Sequence, residues 1–130
     1  MALQFEPGDI VTGIYKTGKY IGEITEQKKE RYVVKVLAVL KHPVQGDLHQ
    51  PKTVDVPLFH KRKALGLREK TNIPAVYVKK YEGGIPDYKE SLRKALQEQK
   101  TELEQDDSEW AKKSLESLRL LEEDYFPASE

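Results

Sequence analysis

No cysteine occurs in this chain, which removes disulfides, thiolate metal ligands, a cysteine nucleophile and any lipid carried on sulfur in one step. Long apolar runs are lacking too. The longest, Val36-Leu37-Ala38-Val39-Leu40, is the size of one strand, far below the roughly 18 residues a membrane-spanning helix needs. The first residues, Met1-Ala-Leu-Gln-Phe-Glu-Pro7, carry neither the basic stretch nor the apolar core of a secretory signal, so a cytoplasmic location without a lipid anchor is expected. Net charge is also absent, because 22 Lys+Arg face 22 Asp+Glu.

That zero hides two oppositely charged halves. Residues 1–81 hold 15 Lys+Arg against 8 Asp+Glu, and residues 82–130 hold 7 against 14. The sign changes at Glu82-Gly83-Gly84, where the apolar pattern changes from period two, rich in Val, Ile and Tyr, to helical spacing rich in Leu, Glu and Lys. Two units are therefore expected, 1–81 and 82–130, and their opposite surfaces suggest docking more than chemistry. At 130 residues, with 38% hydrophobic and 34% charged, the chain suits one modest core plus an appendage.

Five strands are predicted before the switch. Ile10, Thr12 and Ile14 alternate with Val11, Gly13 and Tyr15 and end at the turn signal Lys16-Thr17-Gly18. Residues 20–25 give the second strand. Residues 31–41 give a long third one, whose even positions Tyr32, Val34, Val36, Ala38 and Leu40 are all apolar. Its odd positions mix Val33, Leu37 and Val39 with Lys35 and Lys41, the pattern of a strand that bends between two faces. Val54, Val56 and Leu58 mark a fourth strand, Val76 and Val78 a fifth. Such a set fits a small SH3-like β-barrel in preference to an OB-fold, since no helix is apparent between the third and fourth strands.

Beyond the switch the pattern is helical. Pro86 is expected in a first helical turn with Asp87 near the N-terminus, and Tyr88, Leu92, Ala95, Leu96 and Leu103 share a face. Asp106 and Glu109 have the spacing of a capping box that restarts a second helix through Trp110, Ala111, Leu115, Leu118, Leu121 and Tyr125, stopped by Pro127. So short a break predicts an antiparallel α-helical hairpin whose apolar stripe is buried against the barrel. The expected fold class is mainly β with an α appendage.

Chemistry finds little support in the residues. Gly13 to Lys19 has the spacing of a phosphate-binding loop, but Tyr20 stands where Ser or Thr should ligate magnesium, and a strand follows where a helix is needed. His42, His49 and His60 lie near Asp47 and Asp55, but their spacings match no short metal signature; hydrogen-bonded loop residues are the better reading. No serine sits in a Gly-x-Ser-x-Gly elbow. No catalytic residue, metal or cofactor is assigned. A basic barrel with Tyr15, Tyr20, Tyr32, Phe59 and Tyr77 keeps nucleic-acid binding as the alternative function, although the lysines are dispersed and half of these aromatics occupy core-like positions.

Three strings carry a resemblance: Tyr15-Lys-Thr-Gly-Lys-Tyr-Ile-Gly-Glu-Ile24, Ala38-Val-Leu-Lys-His-Pro-Val-Gln-Gly-Asp-Leu-His-Gln-Pro51, and Asp55-Val-Pro-Leu-Phe-His-Lys-Arg-Lys-Ala-Leu65. With Asn72-Ile-Pro74, Pro86-Asp-Tyr-Lys-Glu-Ser-Leu92 and Ser108-Glu-Trp-Ala-Lys-Lys-Ser114, they resemble the kinase-associated protein B family of spore-forming bacteria over nearly the whole chain. The resemblance implies an SH3-like barrel with a C-terminal helical hairpin. It also implies a non-enzymatic accessory activator of a membrane sensor histidine kinase that feeds the sporulation phosphorelay. It supplies no site residues.

Candidate partner-binding residues therefore rest on physical inference. The segment 41–53 is a long connection with Pro43, Gly46 and Pro51, and long loops on small barrels are disproportionately functional. Its His42, Asp47 and His49, with the run His60-Lys61-Arg62-Lys63, form the expected docking face for the kinase, reached by electrostatic steering. A competing face is the acidic hairpin with Trp110, Glu98 and Glu102. The partner expected is the kinase rather than nucleic acid. Membrane contact is expected only through that kinase, and self-association into a homo-oligomer stays open.

Overall fold

Two-residue turns organise the first three strands. In the computed structural model, which describes residues 5–45 and 62–127, β1 (Ile10–Tyr15) and β2 (Gly18–Lys28) pair antiparallel with Tyr15 opposite Gly18, leaving Lys16-Thr17 as the turn. β2 and β3 (Arg31–Lys41) close with Lys28 opposite Arg31 around Lys29-Glu30. Lys16 and Glu30 both take the left-handed φ that such tight hairpins demand, 55° and 63°. The third strand covers the residues its alternation predicted.

Three register shifts between β2 and β3 coil this pair strongly. Gly22 lies at one of them. A Cβ there would stand 2.7 Å from the Lys35 carbonyl oxygen and overlap Val34, so only glycine lets the two backbones approach. The bend divides β3: Tyr32 and Val34 join one core cluster, whereas Val36 and Val39 join another.

The next strand among the described residues comes only after residue 69. Val54, Val56 and Leu58, and the stretch used to prefer SH3-like over OB topology, lie outside the described residues. The partner of the first half of β3 is β4 (Lys70–Pro74), with Arg31 opposite Pro74 and Lys35 opposite Lys70. Its only large apolar residue, Ile73, is fully buried, so the pairing rather than a local pattern makes it a strand. Val76 is not in a strand. It stands 79% exposed on a 3-10 turn (Ala75–Tyr77), and β5 (Val78–Lys80) begins after it.

The order β4-β3-β2-β1-β5 puts β4 and β5 at opposite edges of the sheet, yet three residues join them. The sheet must curl until its edges meet. Val11, Ile24, Tyr32, Val34, Ile73 and Val78 fill the space inside.

α1 (Tyr88–Glu104) is capped by Asp87, whose carboxylate accepts from the Glu90 N–H at 3.2 Å, so Pro86 precedes the cap instead of occupying the first turn. α2 (Glu109–Tyr125) is capped by Ser108, accepting from the Ala111 N–H; Asp106 instead braces the break by accepting from the Ser108 N–H at 2.8 Å. The box expected of Asp106 and Glu109 is thus replaced by a cap two residues later, because serine puts its hydroxyl within reach of the free amide. Leu92 and Ala95 of α1 lie on Tyr20, Val36 and Val39 of the sheet. Leu96, Leu103, Trp110, Ala111, Leu118 and Leu121 form the core between the helices. The result is mainly β with a helical appendage.

Candidate functional site

Where the sheet and the two helices meet, the short segment Ala64-Leu65 is held by three tyrosine hydroxyls, one from each. Tyr125 of α2 accepts from the Ala64 N–H at 2.9 Å. Tyr20 of β2 accepts from the Leu65 N–H at 3.2 Å, and Tyr88 of α1 donates to the Leu65 carbonyl at 2.6 Å. Three of the four backbone polar groups of a segment without strand or helix partners of its own are thereby satisfied. Burial pushes Tyr20 and Tyr88 up to about 12, and raises Tyr125 as well, so all three remain hydrogen-bonding phenols at neutral pH.

His42, the first residue after β3, is fully buried and belongs to the same network. Its Nδ1 lies 3.0 Å from the Pro43 carbonyl and its Nε2 lies 3.0 Å from the Tyr125 hydroxyl. A carbonyl only accepts, so Nδ1 carries the proton in the neutral ring, and Nε2 accepts from Tyr125. Tyr125 then donates to His42 and accepts from Ala64. Loss of solvation holds the His42 pKa below its ordinary 6.5, against the Pro43 and Gln99 hydrogen bonds that favour the cation. With both ring nitrogens engaged and no exposed surface, His42 is a structural tie, not a residue of a docking surface.

Gln45 and Arg62 close the connection that leaves β3. The Gln45 side-chain oxygen accepts from the Arg62 N–H at 2.8 Å, and its amide donates to the Arg62 carbonyl at 2.9 Å. The amide group thus imitates a strand partner. Trp110 of α2 donates to the Gln45 carbonyl at 3.3 Å, and Gln99 of α1 donates to the carbonyls of His42 and Pro43 at 3.1 Å each. Trp110 is 8% exposed, which removes it from the competing surface on the hairpin. On the sheet side, Thr17 of the first turn accepts from the Val44 N–H at 2.9 Å.

Of the seven candidate partner-binding residues, the structure thus places three: buried His42, and Arg62 and Lys63 at the far end of the clamp. Asp47, His49, His60 and Lys61 lie outside the described residues. Lys63 is exposed, with its ammonium 5.8 Å from the Tyr125 ring centre. Two clefts flank this point. One, of about 330 Å³, is bounded by Tyr15, Lys16, Tyr20, Pro43, Arg62 and Leu65. The other, of about 650 Å³, is bounded by Leu67, Asp87, Tyr88, Lys89, Leu92 and Tyr125, and both include Lys63 and Glu69.

Among the described residues no three His, Asp or Glu side chains converge on a metal position. Of the aromatics considered for base stacking, Tyr20 and Tyr32 are buried and engaged in the fold, while Tyr77 is half exposed. Phe59 lies outside the described residues. The three-tyrosine clamp was not anticipated. The signal was tyrosine, not phenylalanine, at three positions of the apolar pattern, since a buried hydroxyl needs a partner.

Comparison with known proteins gives a consistent result. The family described as "Kinase associated protein B" matches residues 15–126. A Bacillus subtilis (strain 168) protein, "Kinase-associated lipoprotein B", is 59% identical over 122 residues, which cover 94% of this chain and 95% of the relative. The crystal structure of kinase-associated protein B from Bacillus cereus is 55% identical with a TM-score of 0.81, covering 94% of this chain and 98% of the other.

Proposed function

The chain belongs to the kinase-associated protein B family, and from that premise we propose that it is a non-enzymatic accessory protein docking on a sensor histidine kinase of the sporulation phosphorelay. It activates that kinase or supports its expression. Its two parts have separate tasks: an SH3-like barrel, residues 1–81, carries the docking residues, and the hairpin, residues 82–130, braces them. It acts in the cytoplasm and reaches the membrane through the kinase. The word lipoprotein in the relative's name does not transfer to these residues, because none of the 130 is a cysteine to carry a lipid.

The observation that carries this reading is how Arg62 and Lys63 are presented. Their backbone is fixed by Gln45 and, one residue on, by Tyr125, while Lys63 stays exposed between two clefts. A charge held on a rigid stem loses little freedom on binding, which favours recognition of a protein surface.

The test uses the purified cytoplasmic portion of the kinase and labelled ATP. The expected result is a stable complex in which the kinase is labelled and this chain is not. Label on this chain, or no complex at micromolar concentrations of both proteins, overturns the proposal.

A further inference from the structure

The two clefts beside Lys63 differ in chemistry, and the difference describes a ligand. Among the described residues, Lys16 and Lys63 stand around the smaller one with the one carboxylate of Glu69, beside Arg62, which has a partner of its own. Its apolar floor comes from Tyr15, Pro43 and Leu65. The larger cleft is neutral, with Lys63 and Lys89 facing Glu69 and Asp87. It is bounded by Leu67, 53% exposed, together with Tyr88 and Leu92. Sharing Lys63 and Glu69, the clefts abut, one cationic and one apolar, along the 62–69 segment.

Lys16 adds an independent observation. It occupies a left-handed backbone position that glycine or asparagine fills at lower cost, and its ammonium lies 5.4 Å from the Tyr15 ring centre at the edge of the cationic cleft. Thr17 beside it ties the turn to Val44, so the lysine is carried on a braced loop.

We infer that this double cleft is the seat of an extended acidic peptide segment whose carboxylates meet Lys16 and Lys63 and whose neighbouring apolar side chain enters the Leu67–Tyr88–Leu92 cleft. The inference rests on the docking reading above and specifies the partner's chemistry: a linear stretch of Asp or Glu followed or preceded by one Leu or Phe. Charge complementarity supplies the steering and the apolar anchor supplies residence time. A basic segment is repelled, and an acidic segment without an anchor leaves quickly.

Three synthetic peptides of about ten residues provide the probe: one with three glutamates beside a phenylalanine, one with lysines for the glutamates, and one with alanine for the phenylalanine. Titration calorimetry and backbone-amide NMR shifts read binding to the full chain. The glutamate–phenylalanine peptide is expected to bind at least about tenfold more tightly than either control, shifting amides at residues 15–17 and 62–69. Lys16→Glu and Leu67→Ala should each weaken it by about tenfold. Equal binding of the lysine peptide, indifference to both substitutions, or shifts confined elsewhere overturn the inference. The same variants against the kinase separate it from the docking reading. If Arg62→Glu with Lys63→Glu abolishes the complex while Lys16→Glu and Leu67→Ala leave it intact, docking stands and the double-cleft ligand is wrong. If all four leave it intact, the docking reading itself fails.

Discussion

The sheet and the hairpin solve the same problem, burial of an apolar face, by opposite means. Strands β1 to β5 satisfy one another's backbone groups and close around their own core of Val11, Ile24, Tyr32, Val34, Ile73 and Val78. The helices satisfy their backbones locally and share a core of their own around Leu96, Leu118 and Leu121, while Leu92 and Ala95 of α1 are buried against Tyr20, Val36 and Val39 of the sheet. The sheet closes on its own interior, while the hairpin buries one side of its stripe between its helices and the other on the sheet. Opposite charge alone predicts an ionic seam between them. Among the described residues the seam is apolar and hydrogen-bonded, through three tyrosines, His42 and Gln99, and the ion pairs Lys35–Glu23 and Lys100–Glu122 each lie within one region. Exposed pairs contribute roughly 0–1 kcal/mol each, too little to hold the units together. Among the described residues, Lys63 of the clamped segment and Glu98 and Glu102 of α1 lie exposed.

The harshest way to break this shared burial is Gly22→Val. The added Cβ meets the Lys35 backbone carbonyl, which cannot move without parting β2 from β3. A loss of about 3 kcal/mol or more is expected in urea unfolding, and helix signal should disappear in the same transition because the hairpin loses its floor. A helical signal that outlasts the sheet would show that the hairpin stands alone.

Tyr125→Phe probes the seam itself. It removes one hydroxyl and leaves the Ala64 N–H and the His42 Nε2 without their partner. Stability should fall by about 1–3 kcal/mol, the cost of stranding buried polar groups. Amide exchange should quicken in the 62–65 segment and α2 before it does in β2 and β3.

These features differ in how far the sequence foretold them. Elements defined by their own pattern were legible: β3 from its alternation, α1 and α2 from their stripes and from Asp87. Elements defined by a distant partner were not. Lys70–Pro74 has one large apolar side chain and becomes a strand only by lying against Arg31–Lys35. The clamp joins residues 23 to 61 positions apart, and nothing local in Tyr88 or Tyr125 announces Leu65 or Ala64. His42 looked like a loop residue because it follows a strand and precedes a proline. Its burial is set by helices more than fifty residues away.

A gentler perturbation is pH. The folded His42 pKa lies below its unfolded value of 6.5, so the unfolded chain binds more protons as pH falls below 6.5. Stability should therefore decline from about pH 6.5 down to the folded pKa and then level off. In the other direction, burial raises Tyr20 and Tyr88 from 10 when unfolded to about 12 when folded, so stability should also decline above pH 10. Chemical denaturation from pH 5 to 8 reads the first effect, and His42→Gln should flatten it. An unchanged slope in that variant assigns the acid sensitivity to other groups.

Limited proteolysis should leave global stability untouched and still divide the two regions. Residues 82–86 are exposed, with the tie from the Tyr81 hydroxyl to the Gly84 carbonyl at 2.6 Å. The first cut among the described residues is expected there. A first cut within β3 would contradict the sheet's role as the stable scaffold.

The outward division of charge is tested most directly by reversing it on one side at a time and following kinase association by surface plasmon resonance. Arg62→Glu with Lys63→Glu should slow association by about tenfold or more, with little change in melting temperature because solvated charges add little to folding. Glu98→Lys with Glu102→Lys, on the outer face of α1, should leave association nearly unchanged. The opposite outcome, association intact after the first pair and lost after the second, would move the docking face from the clamped basic segment to the acidic hairpin.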